Sequence, residues 1–291
     1  MKRRTRIFLL LLGIVAEIAF IYWSGIFNVY FDLAKKPAAA KDRIIEISLK
    51  EINKRINAPD PIYLEKEVDS SLLTREGIID WTNFHRNDHD LNSLLESEEL
   101  NKIAEMKITD MFEKQYFAHV SPEEKDISDL TKEMGYQFII VGENLARGGF
   151  EDDENLVRRW MESPGHRENI LNENYQEIGV AARKGMFEGE EAWLAVQVFA
   201  TPLSACPEPD QEIEHEISIY QEKIDNLEIK INALKEEIKY MYPKRGQEYK
   251  ERVNYYNILI EQYNALVSKL KPLISEYNNE VNLFNECLSE Y

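Results

Sequence analysis

The chain has 291 residues, room for about two domains. Its 53 acidic against 35 basic side chains give a net charge of −18. That balance argues against a nucleic-acid partner, which selects clustered Lys and Arg, and suits a well-solvated extracellular surface. There are only two cysteines, Cys206 and Cys287, and no CxxC or Cys/His spacing points to a structural zinc site, so one disulfide or two free thiols remain.

Lys2, Arg3, Arg4 and Arg6 precede an apolar run from Ile7 to Phe31. At 1.5 Å per residue a helix of about 20 residues spans the hydrocarbon core, so residues 1–31 read as a cytoplasmic basic flank and a single transmembrane anchor. The basic flank belongs inside, which places the rest of the chain outside the cell membrane. Secretion after signal cleavage near Ala38-Ala39-Ala40 is the alternative, although that site stands well beyond the apolar run. Residues 32–70 read as a stalk. Ile44, Ile45, Leu49, Ile52 and Ile56 recur at helical spacing, which predicts an amphipathic helix over 41–56, broken by Ala58-Pro59-Asp60-Pro61.

Thr74 is placed to cap a helix carrying Ile78, Trp81 and Phe84. His85 and His89 near its end read as surface or terminus-stabilising residues. A second helix follows Leu94-Leu95, with Leu100, Ile103, Ile108, Met111 and Phe112 on one side, and a third runs from Ile127 to Met134, stopped by Gly135. Phe138–Gly142, Glu177–Ala182 and Ala192–Ala200 read as strands; the last is apolar on both faces with Gln197 as the polar exception. Between the first two lie a helix ending near Glu162 and a short one starting at Pro164.

After residue 205 the pattern changes. Ile213, Ile217, Tyr220, Ile224, Leu227, Ile231, Leu234, Ile238 and Met241 step by fours and threes, a heptad seam. A turn at Tyr242–Gly246 leads to a second seam from Tyr249 to Tyr291, with Pro272 expected to kink it. Residues 206–291 therefore read as an antiparallel coiled-coil hairpin. If Met241 and Tyr249 face one another, Cys287 lies level with about residue 203, within reach of Cys206, so a Cys206–Cys287 disulfide is expected in an exported chain. The alternative is two free thiols, with Cys287 a small apolar seam residue.

The chemistry-bearing words lie between. They are Phe117-Ala118-His119-Val120-Ser121-Pro122, Gly142-Glu143-Asn144-Leu145-Ala146, Trp160 running into Ser163-Pro164-Gly165-His166-Arg167-Glu168-Asn169-Ile170-Leu171, and Glu177-Ile178-Gly179-Val180-Ala181 followed by Trp193 to Phe199. In order and spacing they resemble the CAP superfamily (SCP or pathogenesis-related-1 domain) in its bacterial secreted form, over roughly residues 71–202. The resemblance implies an α+β fold, an α-β-α sandwich over 71–205, with a His-Glu-Glu-His set in a central cleft. His119, Glu143 and His166 match three of those positions, and Glu162 is the nearest candidate for the fourth. The glycine before Glu143 and the Ser-Pro-Gly before His166 are expected to re-aim the chain so that both side chains point into the cleft.

Two imidazoles and one or two carboxyls suit a divalent metal such as zinc, with His119 and His166 as ligands and water in the open position. They equally suit a metal-free cluster in which Glu143 orients a histidine. Ser121 lacks a nucleophile elbow and reads as a turn residue before Pro122. Three functions follow: an extracellular binding module for an envelope component, lipid or protein; a metal-dependent hydrolase using a His/Glu-activated water; or a structural protein assembling copies of itself through stalk or coiled coil.

Overall fold

The structure, a computed structural model, describes residues 56–64 and 72–291. The apolar run at 7–31 and all but the last residue of the expected helix at 41–56 lie outside them. Among the described residues no helix is long and apolar enough to cross a membrane. These residues divide into two compact units, 56–64 with 72–208 and 281–291, and 209–280.

The first unit is a three-layer sandwich. Its elements are β1 (Ile56–Asn57), β2 (Ile62–Tyr63), α1 (Arg75–Asp88), β3 (Leu95–Glu96), α2 (Glu98–Lys114), α3 (Ile127–Glu133), β4 (Phe138–Gly148), α4 (Asp153–Glu162), α5 (Pro164–Ile170), β5 (Glu177–Phe187) and β6 (Glu190–Pro202). The sheet order is β1-β4-β6-β5-β3, with β2 also on β4. The long strands β4, β6 and β5 pair antiparallel, whereas the two-residue strands β1, β2 and β3 pair parallel to their neighbours.

Successive side chains of a strand point to opposite faces. On β6, Trp193, Ala195 and Phe199 enter a core completed by Ile78 and Ile79 of α1 and Leu156, Val157 and Trp160 of α4. Leu194, Val196 and Val198 enter the opposite core, completed by Leu100, Ile103, Ile108 and Met111 of α2 and Ile127 of α3. The helix starts are chemically marked: Thr74, Ser97, Asp126 and Asp152 each accept a backbone N–H in the first turn. Gly135 takes φ +73° after α3, a conformation that costs a residue without Cβ nothing. Buried Arg86 donates to the carbonyls of Ile170 and Asn172, satisfying the end of α5.

Two boundaries differ from the sequence reading. Residues 56–64, assigned to the stalk, form edge strands of the sheet, because their backbone pairs with β4 at Val141–Gly142 and Ala146–Arg147. Residues 281–291, assigned to the hairpin, belong to the sandwich, where Phe284 is buried and Cys287 and Leu288 pack on the α1/α4 core.

The second unit holds α6 (Gln211–Tyr240) and most of α7 (Gln247–Ser289). Ile217, Ile224 and Ile231, seven apart, are buried on α6. On α7 Ile260, Tyr263, Val267, Leu270, Ile274 and Tyr277 are buried, and the helix continues through Pro272. Glu237 pairs with Arg252, Glu214 with Tyr277, and the N–H of Asp210 with Glu280. Each pair straddles the Lys244–Arg245 turn symmetrically, so the two helices run antiparallel.

Candidate functional site

The site is built on β4. Gly142, Glu143 and Asn144 lie mid-strand, opposite Phe199, Val198 and Gln197 of β6. Gly142 therefore does not turn the chain, contrary to expectation; it makes room. A Cβ there would lie 2.1 Å from the Tyr175 hydroxyl. Strand alternation sends Glu143 to the α2/α3 face with Val141 and Leu145, and Asn144 to the other. Asn144 Nδ2 donates to Gln197 Oε1 (3.1 Å) and to the His166 carbonyl (3.2 Å), and Gln197 donates on to Thr82 (2.7 Å). Asn169 Nδ2 reaches the Glu143 carbonyl and Asn144 Oδ1. This amide network fastens α5 to β4, and so fixes His166 relative to Glu143.

His119 comes from the loop after α2. Its Nδ1 lies 2.5 Å from Glu143 Oε2 and its Nε2 lies 2.5 Å from the Pro59 carbonyl. A carbonyl only accepts, so Nε2 carries a proton and donates it. The Nδ1–Oε2 contact is then closed by one proton shared between ring and carboxyl. Glu143 has no exposed surface, and its second oxygen, Oε1, has no hydrogen-bond partner.

A buried carboxyl needs a nearby positive group, and α2 supplies one. Lys107 is 1% exposed and donates from Nζ to the His119 carbonyl (2.6 Å) and to Tyr116 Oη (3.3 Å). Burial pushes its pKa down, while Glu143, Asp110 and Asp126 oppose that shift. Tyr116 in turn donates to Asp110 (2.6 Å); burial and then that bond push the phenol's pKa up. The sequence reading passed over Lys107. The signal was a lysine in the apolar stripe of α2, four residues from Ile103 and four from Met111.

His166 is fully buried on α5, its Nδ1 2.8 Å from Ser163 Oγ and its Nε2 without a hydrogen-bond partner. Burial, and then the neighbouring His119, push its pKa down to about 4. It is a neutral imidazole at neutral pH. Gly165 before it does not turn the chain either: a Cβ there would lie 2.5 Å from Pro59 Cβ.

Thus His119, Glu143 and His166 share one neighbourhood, and Glu162 does not join them. Glu162 is exposed and paired with Arg158 (3.0 Å) and Arg159 (3.1 Å), because helical spacing stacks it over the preceding turn of its own helix. As arranged, these side chains do not fit a divalent ion. Both nitrogens of His119 are engaged, and among the described residues no three His, Cys, Asp or Glu side chains gather as a ligand set. Ser121 serves a turn: its N–H donates to the Lys125 carbonyl and its hydroxyl accepts from the Lys125 N–H. A cavity of about 440 Å³ lies nearby, lined by Lys107, Asp110, Lys114, Tyr116, Ser121 and Lys125 among others, and none of His119, Glu143 or His166 lines it. Cys206 and Cys287 form a disulfide, Cα–Cα 5.8 Å, within the sandwich unit.

The sandwich therefore carries a His–Glu pair, with fully buried Glu143 on β4 and half-buried His119 on the loop after α2. Residues 79–199 match the model of the CAP family, the cysteine-rich secretory protein family. Two Bacillus subtilis (strain 168) proteins are similar to part of the chain. One, described as uncharacterized protein YkwD, is 39% identical over 116 residues, 40% of this chain and 43% of that protein. The other, described as uncharacterized membrane protein YlbC, is 32% identical over 122 residues, 42% of this chain and 35% of that protein. The chain thus matches less than half the length of either. A crystal structure of an extracellular protein containing a SCP domain, from Bacillus anthracis str. Ames, aligns with 29% identity and a TM-score of 0.38 over 44% of this chain and 40% of that one. Over its sandwich, then, the chain matches the CAP family and is similar to bacterial proteins.

Proposed function

We propose that this is an extracellular CAP-domain binding module, exported and held at the cell membrane by its N-terminal apolar segment, and that its His119–Glu143 cleft binds a component of the cell envelope rather than hydrolysing one. The observation that carries this reading is the state of His119. A general base needs a free lone pair, and a metal ligand needs one too. With Pro59 in place, Nε2 is committed as a donor to its carbonyl and Nδ1 is closed against Glu143. Three further features support export and tethering. A disulfide suits an oxidising compartment, the apolar run carries its basic flank on one side, and one matched relative is described as a membrane protein.

The test is co-sedimentation of the full chain with purified cell-envelope polymer, read twice, as protein retained and as soluble fragments released. Retention without release is expected, with at least a five-fold loss of retention in Glu143→Gln. Fragment release that disappears in His119→Ala would establish the hydrolase reading instead.

A further inference from the structure

The cleft is covered by the chain's own residues 57–64, and the way they are held describes what the cleft can bind. Asn57 pairs with Gly142 and Ile62 with Ala146, so five steps of this segment span four steps of β4. The extra residue is taken up at Ala58-Pro59-Asp60-Pro61, where two prolines have no N–H to offer the strand. At that bulge the Pro59 carbonyl receives His119 Nε2–H. Its ring fills the place a Cβ on Gly165 would take. The Asn57 carbonyl accepts from Asn169 Nδ2 (3.1 Å). Further along, the Leu64 N–H donates to the Arg147 carbonyl (2.9 Å), the Arg147 guanidinium covers the Tyr63 ring at 4.9 Å, and a Cβ on Gly148 would lie 2.2 Å from the Leu64 carbonyl.

We infer that the edge of β4, flanked by His119 and Gly165, is a groove for an extended, proline-containing polypeptide, and that residues 57–64 occupy it in cis as an autoinhibitory strap. Three features converge on that ligand class. Main-chain pairing at both ends of the groove recognises any extended chain. The fixed donor at His119 Nε2 takes a backbone carbonyl between the two stretches where this segment pairs with β4. The glycine at 165 leaves a shelf that a proline ring fills. A tethered segment acts at an effective concentration of about millimolar, so a polypeptide in trans engages only by outcompeting it or when the strap is drawn away. This inference rests on the binding reading above and names its ligand.

The test uses the full chain and a fluorescent synthetic peptide of residues 56–64. Replacing residues 58–64 of the chain by Gly and Ser at equal length should tighten peptide binding, read by anisotropy, at least ten-fold over wild type. Adding Gly165→Ala to that strap-free chain should weaken peptide binding at least ten-fold without lowering its thermal midpoint, since no proline then meets the new methyl. Equal affinity for the wild-type and strap-free chains, or no binding to a strap-free chain that still unfolds cooperatively by tryptophan fluorescence, overturns the inference. Should the strap-free chain not fold, Gly165→Ala in the otherwise native chain decides. Displacing Pro59 should speed diethylpyrocarbonate modification of His119 several-fold, mapped by mass, and an unchanged rate overturns the strap. Fragment release in the envelope assay would end the binding reading itself; failure of the peptide ends only this one.

Discussion

In the hairpin, the ion pair between the helices, Arg252 with Glu237, lies at the surface, and the interior is a run of Ile, Val, Leu and Tyr at heptad spacing. In the sandwich, Thr82, Lys107, Glu143, Asn144, Asn169 and Gln197 are all buried. A periodic apolar stripe needs only a partner stripe, and its contacts are interchangeable within limits of volume. A buried polar network has no such freedom, because each atom must find its own partner. The comparison teaches where this protein keeps its specificity: charge is a solvated coat on one unit and a fixed internal part of the other. Three of the four tryptophans, Trp81, Trp160 and Trp193, lie in the sandwich and none lies in 209–280, so fluorescence reads the sandwich while far-UV dichroism reads the helices of both units.

The largest effect expected is on the bond that encloses the hairpin in a loop. Cys206 and Cys287 are 81 residues apart, and in the chain-entropy model such a closure contributes about 4.5 kcal/mol. Cys206→Ser with Cys287→Ser should therefore lower urea stability by about that amount in the fluorescence signal, because the segment carrying Phe284 completes the sandwich core. A shift confined to the dichroism signal would break the assignment of 281–291 to that unit. Next comes Lys107→Met, which keeps the apolar stem and removes the cation. Leaving a buried carboxyl without its counter-charge costs about 4 kcal/mol. Adding Glu143→Gln should restore at least a third of the loss; full additivity would show that the two do not share a charge balance.

What the sequence made legible follows the same division. Thr74, Gly135, Pro164 and the heptads act through local geometry, and each stands where the pattern put it. The motif match located His119, Glu143 and His166, but the reasons attached to their neighbours were local and missed. By sequence Gly142 and Gly165 read as bends, whereas they admit Tyr175 and Pro59, residues distant in sequence. Residues 56–64 were illegible for a related reason: two-residue strands have no period, and Pro59 and Pro61 read as breakers until β4 is known to lie alongside. Glu162 was placed by proximity in sequence to His166, and its own arginines claim it.

Acid should separate the units by about 3 kcal/mol. His166 in the folded sandwich titrates near pH 4, against about 6.5 when unfolded. Between those values the unfolded state binds one proton more, so stability falls as pH drops from about 6.5 to 4 and this contribution is then exhausted. His166→Gln should flatten the pH dependence of the fluorescence transition in that window. The same slope in wild type and variant would contradict the burial of a neutral imidazole.

The smallest effect tests the other half of the comparison. Arg252 Nε lies 3.1 Å from Glu237 Oε1, a distance as short as several contacts in the sandwich network, yet the two side chains are 45% and 46% exposed. Water at that exposure screens the attraction, and holding two long side chains in register costs rotamer entropy of similar size. Removing either charge also strands nothing, because the partner left behind is already solvated. Arg252→Ala should therefore change the dichroism midpoint by only about 0.3 kcal/mol, fading further in 1 M salt as the screening length drops to about 3 Å. Lys107→Met, by contrast, should lose almost none of its effect in salt, because ions do not reach a charge that is 1% exposed. A loss above about 1.5 kcal/mol for Arg252→Ala, persisting in high salt, would mean that the hairpin too depends on specific charge pairing and that the division between the units is one of degree.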